Sequence, residues 1–189
     1  MTNFVVDVFG IFFFYALRIA LTYQKKRNLR LLNGVGQSVT VGSELAINNQ
    51  GFITIGDNCE IADRVLFSCY KGGSIVVGSN CFIGDNVKVV ADSGSVKIGN
   101  NCLLAENVSI RASNHGTRLG QLIRLQNNIV KNISIGHDCW IGKGVTVLAG
   151  SFIADGCVIG ANSVVRGVTE PNTIYAGVPI KKIKIRNEY

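Results

Sequence analysis

The chain has 189 residues, 47% of them hydrophobic, with 22 Gly and only 2 Pro; this excludes a disordered or low-complexity chain and suits one domain with a sizeable core. The net charge of +7 sits in two short runs, "KKRNLR" (25–30) and "KKIKIR" (181–186), and without their eight cations the rest carries 11 basic against 12 acidic residues. A near-neutral body argues against a broad nucleic-acid face and favours local contacts with a phosphate-bearing ligand or a membrane surface.

The first segment, "FVVDVFGIFFFYALRIALTY", is apolar but holds Asp7 and Arg18. It lacks the basic lead and small-residue cleavage site of a secretory signal. Its uninterrupted part, residues 8–17, is shorter than the ~20 apolar residues of a membrane span. The expectation for residues 1–33 is a helical segment packed on the body or on a neighbouring subunit. Peripheral membrane contact is the alternative, because basic residues follow directly.

From Val35 onward a large apolar residue recurs every six places. The groups are Val35, Val41, Ile47; Ile55, Ile61, Phe67; Val77, Ile83, Val89; Ile98, Leu104, Ile110; and, after a gap, Ile135, Ile141, Val147, Ile153, Ile159, Val165. Helical and heptad patterns do not produce a period of six. The reading is a parallel solenoid of about six triangular turns, all-β, each six-residue unit being a short strand and a corner. Gly, Asp and Asn in "IGDN", "IGNN" and "IGAN" supply corners that tolerate positive φ. The predicted domain spans 34–170, with a C-terminal basic tail at 171–189.

"KGGSIV" and "DSGSVK" lengthen two corners, and a long insertion occupies residues 111–134. A long loop on an economical solenoid is a functional candidate. Cys59, Cys81, Cys102, Cys139 and Cys157 share one position of the repeat and should form an inward column. They show no CxxC or metal spacing, so the expectation is small reduced core residues, with no metal site.

The stretch "IGHDCWIGKGVTVLAGSFIADGCVIGANSVVRGVTEPNTIYAGVPIKKI" resembles the hexapeptide-repeat acyltransferases, and among them the O-acetyltransferases of bacterial sugars and surface polysaccharides. That resemblance implies a left-handed parallel β-helix, a homotrimer, acetyl-coenzyme A as co-substrate and a cytoplasmic location. It implies His115, in "SNHGT" at the start of the insertion, as general base. Asp92 and Glu106 are the candidates to orient its imidazole, and the sequence does not choose between them. Asp85, Asn86 and Trp140 are the implied acceptor contacts. Gly142, Ala161, Arg166, Lys181 and Lys182 are the implied coenzyme A contacts. His137, in "IGHDCW", reads as an exposed corner residue.

The chemistry needs a base for the attacking hydroxyl, donors for the oxyanion and a means of holding both substrates together; it needs no metal. A γ-class carbonic anhydrase would need three zinc-binding histidines, and the chain has 2. The remaining alternatives are transfer to an amino sugar, to serine or to an antibiotic, and a catalytically silent scaffold.

Overall fold

The computed structural model describes residues 13–17, 19–20 and 28–186. From residue 34 the chain coils as a parallel solenoid with three faces. The first face stacks Gly34–Val35, Phe52–Ile55, Ser74–Val77, Ser95–Ile98, Ile133–Ile135 and Phe152–Ile153. The second stacks Thr40–Val41, Glu60–Ile61, Phe82–Ile83, Leu103–Leu104, Trp140–Ile141 and Val158–Ile159. The third stacks Ala46–Asn49, Leu66–Cys69, Lys88–Val90, Ser109–Arg111, Thr146–Val147 and Val164–Val165.

The register follows the six-residue pattern. Ile55, Val77, Ile98, Ile135 and Ile153 align in turn on the first face. Ile61, Ile83, Leu104, Ile141 and Ile159 are buried on the second. Strands this short would not hold alone. They persist because each coil hydrogen-bonds to the next and all share one apolar interior. Removing a side chain such as Ile141 from water contributes roughly 1.5–3 kcal/mol.

We call the corner between faces one and two the first edge, that between two and three the second, and that between three and one the third. The first edge repeats one left-handed residue per coil: Asn58, Asn80, Asn101 and Asp138 have φ of 53°, 58°, 60° and 52°. Asn and Asp carry that conformation at low cost. Just inside this edge the five in-register cysteines are buried and free, as expected. Their thiols donate one rung along: Cys59 to the Gly78 carbonyl, Cys81 to Gly99, Cys102 to Gly136 and Cys139 to Ala154, at 3.1–3.2 Å. Burial pushes the out-of-register Cys69 up to about 11, and raises Cys59 as well.

The third edge is different. The spacing between inward residues exceeds six from Ile47 to Ile55, Phe67 to Val77, Val89 to Ile98 and Ile110 to Ile135, and returns to six only from Val147 to Ile153. Every enlargement of the regular coil therefore falls on one edge, over four successive turns. The enlarged corners stack closely: a Cβ on Gly73 would stand 1.8 Å from the Asp92 carbonyl oxygen, so only glycine fits.

At one end of the solenoid Asn28 is buried, with its side-chain amide donating to the Leu45 carbonyl, and Leu32 packs on the core. Of the two placements expected for the first segment, the body and a neighbouring subunit, the helical residues 13–17 and 19–20 do not take the first: Phe13, Phe14, Tyr15, Leu17 and Ile19 are exposed. Residues 1–12, 18 and 21–27 of that predicted segment lie outside the described residues. No helix among the described residues is long and apolar enough to cross a membrane.

At the other end, the expected tail begins as one more rung. Thr173–Ala176 pairs in parallel with Val158–Ile159, and Lys181–Ile185 folds back antiparallel on it. Arg186 ties this hairpin down, donating to Asp138 Oδ2 at 2.9 Å and the Gly156 carbonyl at 3.1 Å.

Candidate active site on two edges of the solenoid

The insertion is an ordered projection of the third edge. Its ends form a two-stranded antiparallel ribbon, Ser113–Asn114 with Ile129–Val130. The ribbon lies on Gly94, where a Cβ would come within 2.6 Å of Val130 Cγ1. Beyond it Gln126 clasps the loop: its Oε1 accepts the Arg118 N–H at 2.8 Å, and its Nε2 donates to the carbonyls of Arg118 and Gln121, both at 3.0 Å. The side chain thus supplies the backbone partners that a strand would otherwise provide.

His115 follows this ribbon directly and is exposed. Among the described residues no group hydrogen-bonds or pairs with its imidazole. Asp92 stands at the same edge one coil earlier, half-buried, and accepts a hydrogen bond from the Ser113 hydroxyl; Arg111 Nη1 lies 3.9 Å from its carboxylate. Asp92 therefore holds the base of the segment that carries His115.

Glu106 stands on the second edge. Its carboxylate meets Lys143 Nζ at 3.0 Å, and its own backbone N–H together with that ammonium lowers its pKa. Of the two candidates for orienting the imidazole, only Asp92 shares an edge with His115. Six residues of strand and corner from Glu106 to Ala112, at about 3.3 Å each, put the two edges roughly 15–20 Å apart.

The other expected residues divide the same way. Arg166 is on the third edge: it follows Val165, whose partner Val147 pairs in turn with Ile110, so it stands two coils beyond the insertion. It is exposed and no carboxylate among the described residues pairs with it. Asp85, Asn86, Gly142 and Ala161 are on the second edge. There Asp85 accepts the Asp63 N–H at 3.0 Å and pairs with Arg64 at 3.6 Å, while Asn86 donates to Asn107 Oδ1 at 2.7 Å. These polar atoms serve the edge's own ladder. Gly142 packs under Ala161, where a Cβ would come within 2.8 Å of the Ala161 nitrogen.

Trp140 faces outward from the second face, 54% exposed, in a shallow cleft of about 250 Å³ with Leu103, Val158 and Arg186. Lys181 and Lys182 lie on the terminal hairpin beside that face, and Lys182 is held by Glu170, which raises its pKa. The chain thus places His115, Asp92 and Arg166 on one edge, and Asp85, Asn86, Glu106, Trp140, Gly142, Ala161, Lys181 and Lys182 on or beside another.

His137 occupies the first edge, away from the insertion and three residues before Trp140. Its Nδ1 accepts the Asn100 N–H at 2.9 Å and its own N–H donates to Asp155 Oδ1 at 2.7 Å. It is one step in a ladder in which Asp57, Ser79, Asn100 and Asp155 play the same part.

Sequence reasoning missed Ser113 and Lys143. Both were within reach of counting: Ser113 stands three places after Ile110, as Asp92 does after Val89, which puts them in one column. The Arg186 contact spans 48 residues and carries no local signal.

Comparison with known proteins agrees with the coil. The model of the bacterial transferase hexapeptide (six repeats) matches residues 132–167, and that of the hexapeptide repeat of succinyl-transferase matches 74–112 and 95–130. A putative lipopolysaccharide biosynthesis O-acetyl transferase of Escherichia coli is 54% identical over 55 residues, 29% of this chain and 28% of that protein. The galactoside O-acetyltransferase of the same organism is 43% identical over 56 residues, 30% of this chain and 28% of that protein. These alignments span less than a third of the relatives' length. Among solved structures, an N-acyltransferase from Bacillus cereus in complex with a dTDP-amino sugar and coenzyme A superposes with a TM-score of 0.78 at 22% identity, over 87% of this chain and 89% of that one. A maltose O-acetyltransferase from Clostridium difficile superposes with a TM-score of 0.63 at 27% identity, over 87% and 75%. The architecture is the left-handed parallel β-helix of these acyltransferases.

Proposed function

From the premise that this chain belongs to the hexapeptide-repeat acyltransferase family, we propose that it is an acetyl-coenzyme A-dependent O-acetyltransferase acting on a hydroxyl of a sugar or surface-polysaccharide precursor. The observation that carries this reading is His115: an exposed imidazole at the root of the one long insertion, on a segment anchored by Ser113 and Asp92.

In the proposed step His115 removes the acceptor hydroxyl proton as the oxygen attacks the thioester carbonyl carbon. The tetrahedral oxyanion collapses, the carbon–sulfur bond breaks, and the departing thiolate takes the proton back from the imidazolium. Imidazole suits both transfers because its pKa lies near working pH. Asp92 is the positioning residue, acting through Ser113 on the backbone that presents His115. Coenzyme A carries phosphates, and Arg166 and Lys181, which no carboxylate among the described residues pairs, offer charge to them, while the small surfaces of Gly142 and Ala161 leave room for a narrow arm.

Residues of the two groups are too far apart on one chain to act on one pair of substrates. Two chains side by side can join the third edge of one to the second edge and second face of the next. We therefore read the active form as a homotrimer with three equivalent clefts, in which Trp140 and Ala161 face the insertion of a neighbour. The interior of the coil is filled by aliphatic side chains and thiols, so the cleft has to lie outside. The exposed Phe13, Phe14 and Ile19, with the basic run that follows in sequence, favour peripheral contact with the cytoplasmic face of a membrane, where polysaccharide precursors and acetyl-coenzyme A would meet. Six free thiols fit that reducing compartment.

The test is release of coenzyme A thiol from acetyl-coenzyme A with neutral sugars, amino sugars, serine and chloramphenicol as acceptors. Release with sugar hydroxyls supports the reading. Preference for an amino sugar would make the protein an N-acetyltransferase, and no release with any acceptor would leave a scaffold.

A further inference from the structure

The third edge bears more than His115. Beneath the insertion, on the side away from Arg166, lies a cleft of about 380 Å³. Its floor is the stack of enlarged corners: Gln50 from the first, Tyr70 and Lys71 from the second, Asp92 from the third. Its roof is the insertion, through Asn127 and Asn128. The same two asparagines also line a second hollow of about 430 Å³ within the insertion, with Gly116, Thr117 and Arg118, the residues that follow His115. Asn127 and Asn128 border both spaces, so the two adjoin; His115 lines neither, and it directly precedes the Gly116–Arg118 wall of the second.

The lining has a definite chemistry. Gln50, Asn127 and Asn128 each present an amide with donors and an acceptor, which matches a surface of vicinal hydroxyls. Tyr70 adds an aromatic ring, a platform for the apolar C–H face of a pyranose. Its hydroxyl accepts from Asn48 Nδ2 at 2.8 Å, which fixes the ring before any ligand arrives. The next two residues form a left-handed turn: Lys71 has φ 50° and Gly72 has φ 78°, lifting the corner off the coil. On the bare six-residue repeat there would be no such wall.

We infer that this cleft is a second acceptor subsite, which binds the saccharide unit next to the one that is acetylated, so that the substrate is an oligosaccharide or glycan chain and Tyr70 is a specificity-determining residue. The inference rests on the sugar-acetylating reading above. The distance is suitable: Gln50, Tyr70 and Asp92 are on successive coils about 4.8 Å apart, so the floor is roughly 10 Å long, the span of a disaccharide.

The experiment measures binding and turnover separately. Binding is read by saturation-transfer NMR on the full chain and on His115→Ala, against glycans of two to six sugars and their monosaccharide units. Turnover is read by thiol release with the same panel. We expect both proteins to bind at least one oligosaccharide tenfold or more tighter than its monosaccharides. Tyr70→Ala should erase that difference, and Tyr70→Phe should restore most of it because the ring remains. In turnover, Tyr70→Ala should raise KM for the oligosaccharide far more than it lowers kcat. If no oligosaccharide is preferred over its units, or if Tyr70→Ala retains the preference, the subsite is wrong even where monosaccharides are acetylated. If the oligosaccharide preference and its loss in Tyr70→Ala are present but no thiol is released, the subsite stands and the acetyl-transfer reading fails.

Discussion

The first and third edges of this solenoid are made by the same repeat and each carries one of the two histidines, yet they have opposite characters. On the first edge every coil turns in the minimum number of residues, and on five successive coils one polar side chain accepts a backbone N–H of the coil below. His137 does there what Asp57, Ser79, Asn100 and Asp155 do on other rungs: it accepts or positions one backbone N–H. Its Nδ1 is taken by the fold. On the third edge four coils carry extra residues, and these lift side chains away from the backbone they would otherwise serve. His115 is exposed and without a partner among the described residues. A tightly wound coil saturates its own polar groups; chemistry needs the places where it is lengthened.

The largest expected effect breaks the third edge. His115→Ala should lower acetyl turnover by ~10²-fold or more, the usual scale for losing a general base, with the melting temperature close to the native one. Near-native turnover in a thiol-release assay would remove His115 from the mechanism. Next in size, Asp92→Asn should lower kcat about tenfold with little change in KM for acetyl-coenzyme A, because it loosens the Ser113 anchor while leaving the cofactor contacts. A variant that lost KM and kcat together would point instead to direct substrate contact.

The first edge should answer in stability. Cys102 is fully buried, and Cys102→Ala should cost about 1–2 kcal/mol by chemical denaturation while activity is retained. All six thiols should resist alkylation at neutral pH in the native protein and react fully in denaturant. Smaller again, His137→Asp should leave stability and turnover near native, since Asp performs the same task on neighbouring rungs; His137→Ala should lose roughly 1 kcal/mol of stability for the lost acceptor. A tenfold drop in turnover for His137→Asp would show that the two histidines are not divided as described.

The smallest effect concerns pH. The Glu106 carboxylate has a lowered pKa in the folded chain, so its contribution is present above its unfolded value, about 4.3, and fades as pH falls through the folded one. The Lys182 ammonium has a raised pKa, so its contribution is present below about 10.4 and fades as pH rises through the folded value. Both groups are open to solvent, and the effect should be a slight flattening of melting temperature against pH in Glu106→Gln below about pH 4.

The coil was legible in the sequence because an inward position has only one kind of neighbour. Ile61 to Ile159 on the second face could be aligned by counting alone, and so could the cysteine column. The site was legible in part. His115 was marked by the insertion that follows it, but sequence distance misleads about its neighbours: Glu106 is one corner back along the chain and Asp92 a full coil back, yet it is Asp92 that shares the edge of His115. Tyr70 and Gln50 went unnoticed because a cleft is made by corners of different coils and a returning loop, and no spacing rule adds those together. Phe13, Phe14, Tyr15, Leu17 and Ile19 were expected to pack on the body or on a neighbouring subunit, and they are exposed on the single chain; an apolar stretch signals that a partner is needed and does not say which.

The central claim is that one site is completed by the third edge of one chain and the second edge of another, and mixing two inactive variants tests it most directly. His115→Ala removes the base from the third edge; Ala161→Trp fills the second edge at an exposed corner that tolerates bulk. Each should be inactive alone. Unfolded and refolded together in equal amounts, they should regain about a quarter of native turnover, the fraction of clefts in a closed ring that draw an intact edge from each side. Recovery near that value would establish the shared site. No recovery from well-folded mixed oligomers, or full native activity in a particle with the mass of one chain, would contradict it.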